Sequence, residues 1–134
     1  MSRHLDDLAP VFKPLAYELL ARSVEAMIPV LIVNTRRTAA EQAINVANGT
    51  SQVAHSKHQD GLAIDIVPYH VFQEYGDDKL QWHEDDPAWA KLGAIGEALG
   101  LRWGGRFVSL KDMGHFEYVA PAIPRRDHPT GPLT

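Results

Sequence analysis

The sequence predicts a single domain of the mixed class, in which helices and strands alternate along the chain. The length of 134 residues is typical of one domain. Hydrophobic residues make up 45% of the chain, which is enough for a buried core. Some segments repeat apolar residues at helical spacing, whereas others are short apolar runs rich in β-branched residues. This difference predicts which segments form helices and which form strands.

The first half of the chain predicts two helices and a strand after a short helical turn at residues 1–9. Residues 14–27 carry apolar side chains at helical spacing and begin with a proline, which the first helical turn accepts. Residues 30–33 form a β-branched-rich run that predicts a buried strand. A second helix is predicted over residues 39–47, with Thr38 and a glutamate three residues later as a capping box.

The second half predicts three strands and one helix. A continuous apolar run predicts a strand at residues 62–67, and the irregular, acidic segment 68–86 follows it. A proline at the first position and a glycine after the end predict a helix over residues 87–99. Short strands are predicted at residues 101–103 and 115–119. The predicted order therefore alternates helix and strand from residue 14 to residue 103, and a further strand follows.

The predicted strand at residues 62–67 is apolar on both faces except for Asp65. Such a strand is usually buried on both faces, and an unpaired buried carboxylate is strongly disfavoured. Asp65 is therefore expected to have a cationic partner or a metal ion. His58 lies seven residues earlier, beyond a glycine that permits a tight turn, and His115 lies on the last predicted strand. Two imidazoles and one carboxylate that converge would form a zinc site with a fourth position open for water.

Two further residues are candidates for what hydrolysis at such a site requires. Asp112, three residues before His115, could take a proton from water and deliver it to the leaving amine. Arg37, just past the first predicted strand, could hold a developing oxyanion or a substrate carboxylate. Solvated surface positions for both remain an open alternative, and seven histidines make chance pairing easy. A non-haem iron site also uses two histidines and a carboxylate, but commonly with a shorter gap than the seven residues found here.

Composition argues against several other classes of function. The chain has no cysteine, so it has no disulfide, no thiolate metal ligand and no cysteine nucleophile. A net charge of −4 argues against nucleic acid as a partner. No stretch approaches the roughly 18 apolar residues of a membrane span. Acidic residues and prolines interrupt the first residues, so we expect synthesis in the cytoplasm without a signal peptide.

Two spaced motifs resemble a known family. Ser56-x-His58-x-x-Gly61-x-Ala63-x-Asp65, followed by Asp112-x-x-His115-Phe116-Glu117, resembles the zinc peptidases that cut bacterial cell-wall peptides. That family includes D-Ala-D-Ala carboxypeptidases and dipeptidases, and the L-alanyl-D-glutamate endopeptidases that bacteriophages use as endolysins. Arg37-Thr38-Ala39-Ala40-Glu41-Gln42 resembles the family's upstream segment, and Trp103-Gly104-Gly105 resembles its Trp-Gly-Gly turn. Arg106-Phe107 departs from the pattern, because many endolysin members have an acidic residue and then tryptophan there.

The resemblance implies a small α+β domain, in which a mostly antiparallel sheet carries the zinc site and about three helices pack around it. The catalytic domain would span residues 1–120, and residues 121–134 would form an extended, proline-rich tail. The resemblance also implies roles for six residues. They are His58, Asp65 and His115 as zinc ligands, Asp112 as general base, Arg37 as a substrate or oxyanion contact, and Ser56 as a hydroxyl that lines the site.

The function that the resemblance implies is zinc-dependent hydrolysis of the peptidoglycan stem peptide. L-alanyl-D-glutamate endopeptidase activity of a phage or prophage endolysin is favoured, with a monomer that acts on the cell wall after release. A D-Ala-D-Ala carboxypeptidase or dipeptidase of the same fold is the alternative. The aspartate at position 112 argues against this alternative, because carboxypeptidase members often have glutamate there. A zinc-binding module without catalytic activity is the third possibility, which the presence of both Asp112 and Arg37 disfavours.

Overall fold

The computed structural model describes residues 1–51, 55–69 and 84–121 of the chain. Within these residues it forms three helices and one four-stranded sheet, so the predicted α+β class is confirmed. The helices are α1 (Lys13–Glu25), α2 (Ala39–Ala47) and α3 (Pro87–Ala98). The strands are β1 (Val30–Asn34), β2 (Ala63–Pro68), β3 (Arg102–Trp103) and β4 (His115–Glu117). Short 3₁₀ helices lie at Leu5–Asp7, Lys57–Asp60 and Gly104–Arg106.

The sheet has the strand order β1-β2-β4-β3, and every neighbouring pair is antiparallel. The register pairs Asp65 on β2 with His115 on β4, and it pairs Glu117 with both Ala63 and Arg102. Because side chains alternate across a strand, Asp65, His115 and Glu117 extend from the same face of the sheet. This face carries the candidate site, and the opposite face packs into the core.

The core forms between the rear face of the sheet and helices α1 and α3, and two glycines of α3 permit a close approach to the sheet. A Cβ atom on Gly93 would lie 2.5 Å from the Trp103 ring, and one on Gly96 would lie 2.4 Å from the Phe116 ring. Both aromatic rings are therefore packed directly against the helix backbone. Phe116 and Trp103 are neighbours in the β3–β4 register, so α3 supports the strand that carries His115.

The helix ends follow local sequence signals, with one difference. The capping box predicted at Thr38 is present, and Gly100 follows α3 with a φ of 83°. Helix α1 ends at Glu25, two residues before the predicted end. Met27 adopts a left-handed φ of 65°, and the Ile28 N–H donates to the Ser23 carbonyl at 2.8 Å, which closes the helix. The apolar spacing alone gave no sign of this turn.

Two predicted strands are shorter than expected. The strand predicted over residues 115–119 ends at Glu117, because its partner β2 begins at Ala63, which is opposite Glu117. The strand predicted from residue 101 begins at Arg102, because the Leu101 N–H donates to Gly96 at the end of α3. Most of the predicted acidic excursion (residues 70–83) and the predicted tail from residue 122 lie outside the described residues. Among the described helices, none is both long and apolar enough to cross a membrane.

Candidate metal centre and active site

Three side chains converge above the sheet, and they are the three that the sequence predicts as zinc ligands. One nitrogen from each of His58 and His115 and one carboxylate oxygen of Asp65 lie within 4.8 Å of one another. His58 Nε2 and His115 Nδ1 each lie 3.1 Å from the same atom, Asp65 Oδ1. Both imidazoles are buried, with exposed fractions of 1% and 8%. The structure thus brings together residues that are up to 57 positions apart in sequence.

His58 is placed by the 3₁₀ helix that leads into β2. The Ser56 hydroxyl accepts a hydrogen bond from the His58 N–H at 3.1 Å and caps this helix. Gly61 ends it with a φ of 71°, and a Cβ there would lie 2.8 Å from the backbone nitrogen of Ala9. The sequence therefore needs glycine at this turn for both conformation and space.

The hydrogen bonds of His58 fix which of its nitrogens faces the site. Nδ1 lies 2.8 Å from the Thr35 carbonyl oxygen, which can only accept, so Nδ1 carries the proton. Nε2 is then left with its lone pair directed at the cluster. It is buried and, although 3.1 Å from Asp65, makes no hydrogen bond with suitable geometry. A buried imidazole nitrogen that accepts no hydrogen bond is typical of a histidine that binds a metal ion.

His115 is oriented by Glu117, a residue to which sequence reasoning assigned no function. His115 Nε2 donates to Glu117 Oε1 at 2.8 Å, which leaves Nδ1 to face Asp65. Glu117 is 7% exposed, and its second oxygen lies 3.4 Å from Lys57 Nζ and 3.6 Å from Arg102 Nη1. The alternation of residues along the last strand does place Glu117 on the same face as His115. That alternation and the place of Glu117 in the second motif were the available signals.

Asp65 is held as a carboxylate despite its burial. Burial raises the pKa of this group, but the hydrogen bond from His115 and the close approach of the His58 imidazole outweigh it and keep the pKa well below its usual range. The second oxygen accepts from Asn34 Nδ2 at 3.1 Å. Asn34 lies opposite Asp65 in the β1–β2 register, a position that sequence reasoning missed because the register was unknown.

Asp112 lies beside the cluster, with its Oδ2 atom 3.9 Å from His115 Nδ1. Half of its side chain is exposed, yet the walls of the cleft desolvate the carboxyl and raise its pKa, and the nearby Asp65 charge raises it further. The Asp112 N–H donates to the Gly104 carbonyl, and the Asp112 carbonyl accepts from His115. A Cβ on Gly104 would lie 2.2 Å from the Asp112 carbonyl oxygen. The Trp-Gly-Gly segment therefore positions this carboxylate.

A cleft of about 520 Å³ opens over the cluster, and Arg37 and Ser56 both line it, as does Asp112. The Arg37 guanidinium donates to the Gln42 side chain, and its charge lowers the pKa of Asp112, opposing the effect of desolvation. The Ser56 hydroxyl accepts the hydrogen bond from the His58 N–H, so the contact that the structure shows for it stabilises the turn that carries His58. All six residues predicted for the site are thus found at this cleft or directly beneath it.

The donor set fits zinc. Two neutral imidazole nitrogens and one carboxylate oxygen are a common three-ligand set for catalytic zinc, and the second nitrogen of each histidine is hydrogen-bonded to a protein acceptor, as is usual around such ions. The unpartnered His58 Nε2 is the observation of this structure that favours a cation between the ligands.

Comparison with protein families shows which family the chain belongs to. Residues 49–118, more than half of the chain, match the peptidase family described as D-alanyl-D-alanine carboxypeptidase. The chain belongs to this peptidase family. The matched residues include both histidines, Asp65 and Asp112, whereas Arg37 lies before them.

Two curated relatives from bacteriophages carry the same name. The chain is 33% identical over 119 residues to the L-alanyl-D-glutamate peptidase of Listeria phage A118, covering 86% of this chain and 39% of that protein. It is 34% identical over 97 residues to the L-alanyl-D-glutamate peptidase of Escherichia phage T5, covering 67% of this chain and 66% of that protein. The matches therefore span less than two thirds of each relative.

Solved structures of peptidases share the fold. The L-Ala D-Glu endopeptidase ChiX of Serratia marcescens has a TM-score of 0.67 at 25% identity, covering 86% of this chain and 83% of that one. The vancomycin-resistance D,D-pentapeptidase VanY, solved with Zn(II), has a TM-score of 0.55 at 15% identity and covers 84% of this chain and 73% of its own. The second likeness concerns the fold alone.

Proposed function

We propose that the chain is a zinc-dependent L-alanyl-D-glutamate endopeptidase that cuts the stem peptide of peptidoglycan in the cell wall. The observation that carries the proposal is the convergence of His58, Asp65 and His115 beside Asp112 in one open cleft. The names of the two phage relatives and of the Serratia structure support this choice of bond. Residues 1–120 would form the catalytic domain. A monomer is sufficient, because one chain supplies every residue of the cluster.

His58, Asp65 and His115 would hold the zinc through Nε2, a carboxylate oxygen and Nδ1, the atoms that converge. Zinc bound there supplies a Lewis acid that lowers the pKa of water and polarises the scissile carbonyl. The hydrogen bonds from His58 to Thr35 and from His115 to Glu117 keep these nitrogens directed at the site.

Asp112 would act as the general base and then as the general acid. Its carboxylate takes a proton from the attacking water while the oxygen bonds to the scissile carbonyl carbon. It then gives this proton to the leaving nitrogen of D-glutamate as the carbon–nitrogen bond breaks. A pKa raised by desolvation and by Asp65 suits a group that must accept a proton and release it again.

Arg37 would stabilise the negative charge that develops on the substrate oxygen. Its guanidinium lies in the same cleft and is held from behind by the Gln42 side chain. The backbone of Arg37 also supports the site, because its N–H donates to the His58 carbonyl at 3.1 Å. Ser56 would line the cleft and fix the start of the turn that carries His58.

Digestion of purified murein by the zinc-loaded protein tests the proposal, with products identified by mass spectrometry. We expect stem peptides that begin at D-glutamate and disappear when zinc is chelated. Release of free D-alanine would instead assign the carboxypeptidase activity for which the family is described. Absence of any product from folded, zinc-loaded protein would reject hydrolysis and leave a zinc-binding module.

A further inference from the structure

One end of the cleft carries more positive than negative charge. Lys57 and Arg102 both line the cleft there, and Glu117 is the only carboxylate that pairs with them among the described residues. One oxygen of Glu117 is already committed to His115. The two cations therefore share a single carboxylate oxygen, and we call Lys57 and Arg102 the cationic end of the cleft.

The two cations differ in how firmly they are engaged. Lys57 Nζ donates to the Tyr118 carbonyl at 2.7 Å and lies 3.4 Å from Glu117. Arg102 Nη1 is 3.6 Å from Glu117, too far for a hydrogen bond, and its guanidinium donates to no other residue in the described part of the chain. Its side chain is 61% exposed. Arg102 thus has donors available to a ligand in the cleft.

An aromatic ring fixes Arg102 close to the site. The guanidinium carbon lies 4.6 Å from the centre of the Phe107 ring, and the Phe107 ring centre lies 5.6 Å from that of His115. Stacking on an aromatic face orients the planar guanidinium and leaves its edge donors open. In the sheet register Arg102 on β3 is opposite Glu117, which lies two residues along β4 from His115, or roughly 7 Å.

We propose that Arg102 binds the free α-carboxylate of D-glutamate in the substrate and makes the enzyme select the acid over the amidated form. This inference rests on the proposed endopeptidase function. In the stem peptide, D-glutamate continues the chain through its side-chain carboxyl, so its α-carboxylate is free unless amidated. The same carbon bears this carboxylate and the nitrogen that leaves. Arg102 is opposite Glu117 on the strand that also carries His115, and it is therefore placed to bind this carboxylate.

Two matched peptides test the inference, each containing L-alanine joined to D-glutamate that is extended through its side chain by lysine. One has a free α-carboxylate and the other an α-carboxamide. We expect zinc-loaded wild-type protein to show the higher kcat/KM on the acid. Arg102→Gln should lower kcat/KM on the acid by about 10- to 100-fold and change the amide little, because a charge-assisted hydrogen bond is lost. Arg102→Glu should reverse the preference.

Arg106→Gln is the matched control. Arg106 is as exposed as Arg102 and four residues away, but it pairs with Glu97 on α3 and does not line the cleft. This variant should retain the wild-type ratio of acid to amide. Calorimetric binding of the two product peptides to zinc-loaded wild type and Arg102→Gln gives a second readout that does not depend on turnover.

The outcomes separate the inference from the function on which it rests. Cleavage of both peptides by wild type at equal rates, or an equal loss on both in Arg102→Gln, would overturn the inference and leave the endopeptidase in place. A loss that appears only when lysine is replaced by diaminopimelate would assign Arg102 to the carboxylate of that residue and refute our assignment. No cleavage of either peptide would overturn both proposals.

Discussion

Glu117 and His115, which extend from the same face of β4, are joined by a hydrogen bond of 2.8 Å between Oε1 and Nε2. The bond determines that Nδ1 of His115, and not Nε2, is directed at Asp65. A neutral imidazole has one proton, so an acceptor on one nitrogen leaves the other free as a metal ligand. Glu117 therefore sets the geometry of the candidate site without touching the space where the metal would lie.

Replacing Glu117 is expected to weaken zinc binding. Glu117→Ala removes the acceptor and should lower zinc affinity by about 10- to 100-fold, whereas Glu117→Gln keeps an acceptor oxygen and should lose less. Competition with a chromogenic chelator measures the affinity. Glu97→Gln is the control, because Glu97 pairs with Arg106 away from the cleft. Equal zinc affinity in Glu117→Ala and wild type would show that Glu117 does not position His115.

Asp112→Asn is expected to separate catalysis from metal binding. The amide keeps the shape of the side chain but cannot accept the proton from water, so kcat should fall by about 100- to 10,000-fold. Zinc content should be unchanged, because Asp112 lies 3.9 Å from His115 Nδ1 and outside the three-ligand cluster. Single-turnover assays and metal analysis on the same preparation check both points.

A matched control for that experiment is Asp6→Asn, a neutralised carboxylate on the exposed N-terminal turn. It should retain full activity. Retained activity in Asp112→Asn would remove Asp112 as the base, and loss of zinc would instead make it a ligand.

Zinc binding is expected to release about one proton at neutral pH. In the metal-free protein, burial lowers the pKa of His115, but hydrogen bonds to Asp65 and Glu117 prevail and raise it to about 10. The imidazolium must therefore lose its Nδ1 proton before that nitrogen can bind zinc. Calorimetric titrations in buffers with different ionisation enthalpies count the protons, and a count of zero near pH 7.5 would contradict a protonated His115.

The same pKa shift predicts how the stability of the metal-free protein depends on pH. Folding favours the charged form of His115, so its contribution is complete below pH 6.5, the ordinary histidine value, and is lost as the pH rises through about 10. Urea unfolding between these values should show a falling midpoint. The slope should diminish in Glu117→Gln, in which one of the two charged acceptors is absent.

Gly104→Ala is expected to damage the site from beneath. The added Cβ would lie 2.2 Å from the Asp112 carbonyl oxygen and 2.9 Å from His115 Cβ, so the turn that carries both residues must move. We expect a loss of about 1–3 kcal/mol in the free energy of unfolding, together with weaker zinc binding. Denaturant unfolding and chelator competition measure the two effects.

Gly100→Ala provides the comparison for that variant. Gly100 has a φ of 83°, but a Cβ there would meet nothing within 4 Å. It should cost about 1–2 kcal/mol through backbone strain alone and leave zinc affinity unchanged. Similar zinc affinity in both variants would show that the close contact at Gly104 does not govern the site.

Asp65 stands out in the sequence because it breaks an otherwise apolar strand, and the family resemblance links it with His58 and His115. The structure brings these three side chains together, as that prediction requires. The sequence could not predict the contacts of Glu117 and Asn34 or the role proposed for Arg102, because each depends on which residues face one another across neighbouring strands. Strand register is determined by packing of the whole sheet and is not stated by any local motif. The predicted end of α1 was wrong because Met27 adopts a left-handed backbone conformation that a residue with a side chain disfavours.

The order of strands in the sheet also has a consequence for biosynthesis. Of the four strands described, β4 is the last to leave the ribosome, yet it occupies an interior place in the sheet, between β2 and β3. His58 and Asp65 are translated some fifty residues before the histidine that completes the cluster. A nascent chain that has not yet reached β4 therefore has no complete zinc-binding cluster. The three residues that would bind zinc can therefore come together only after β4 has been translated.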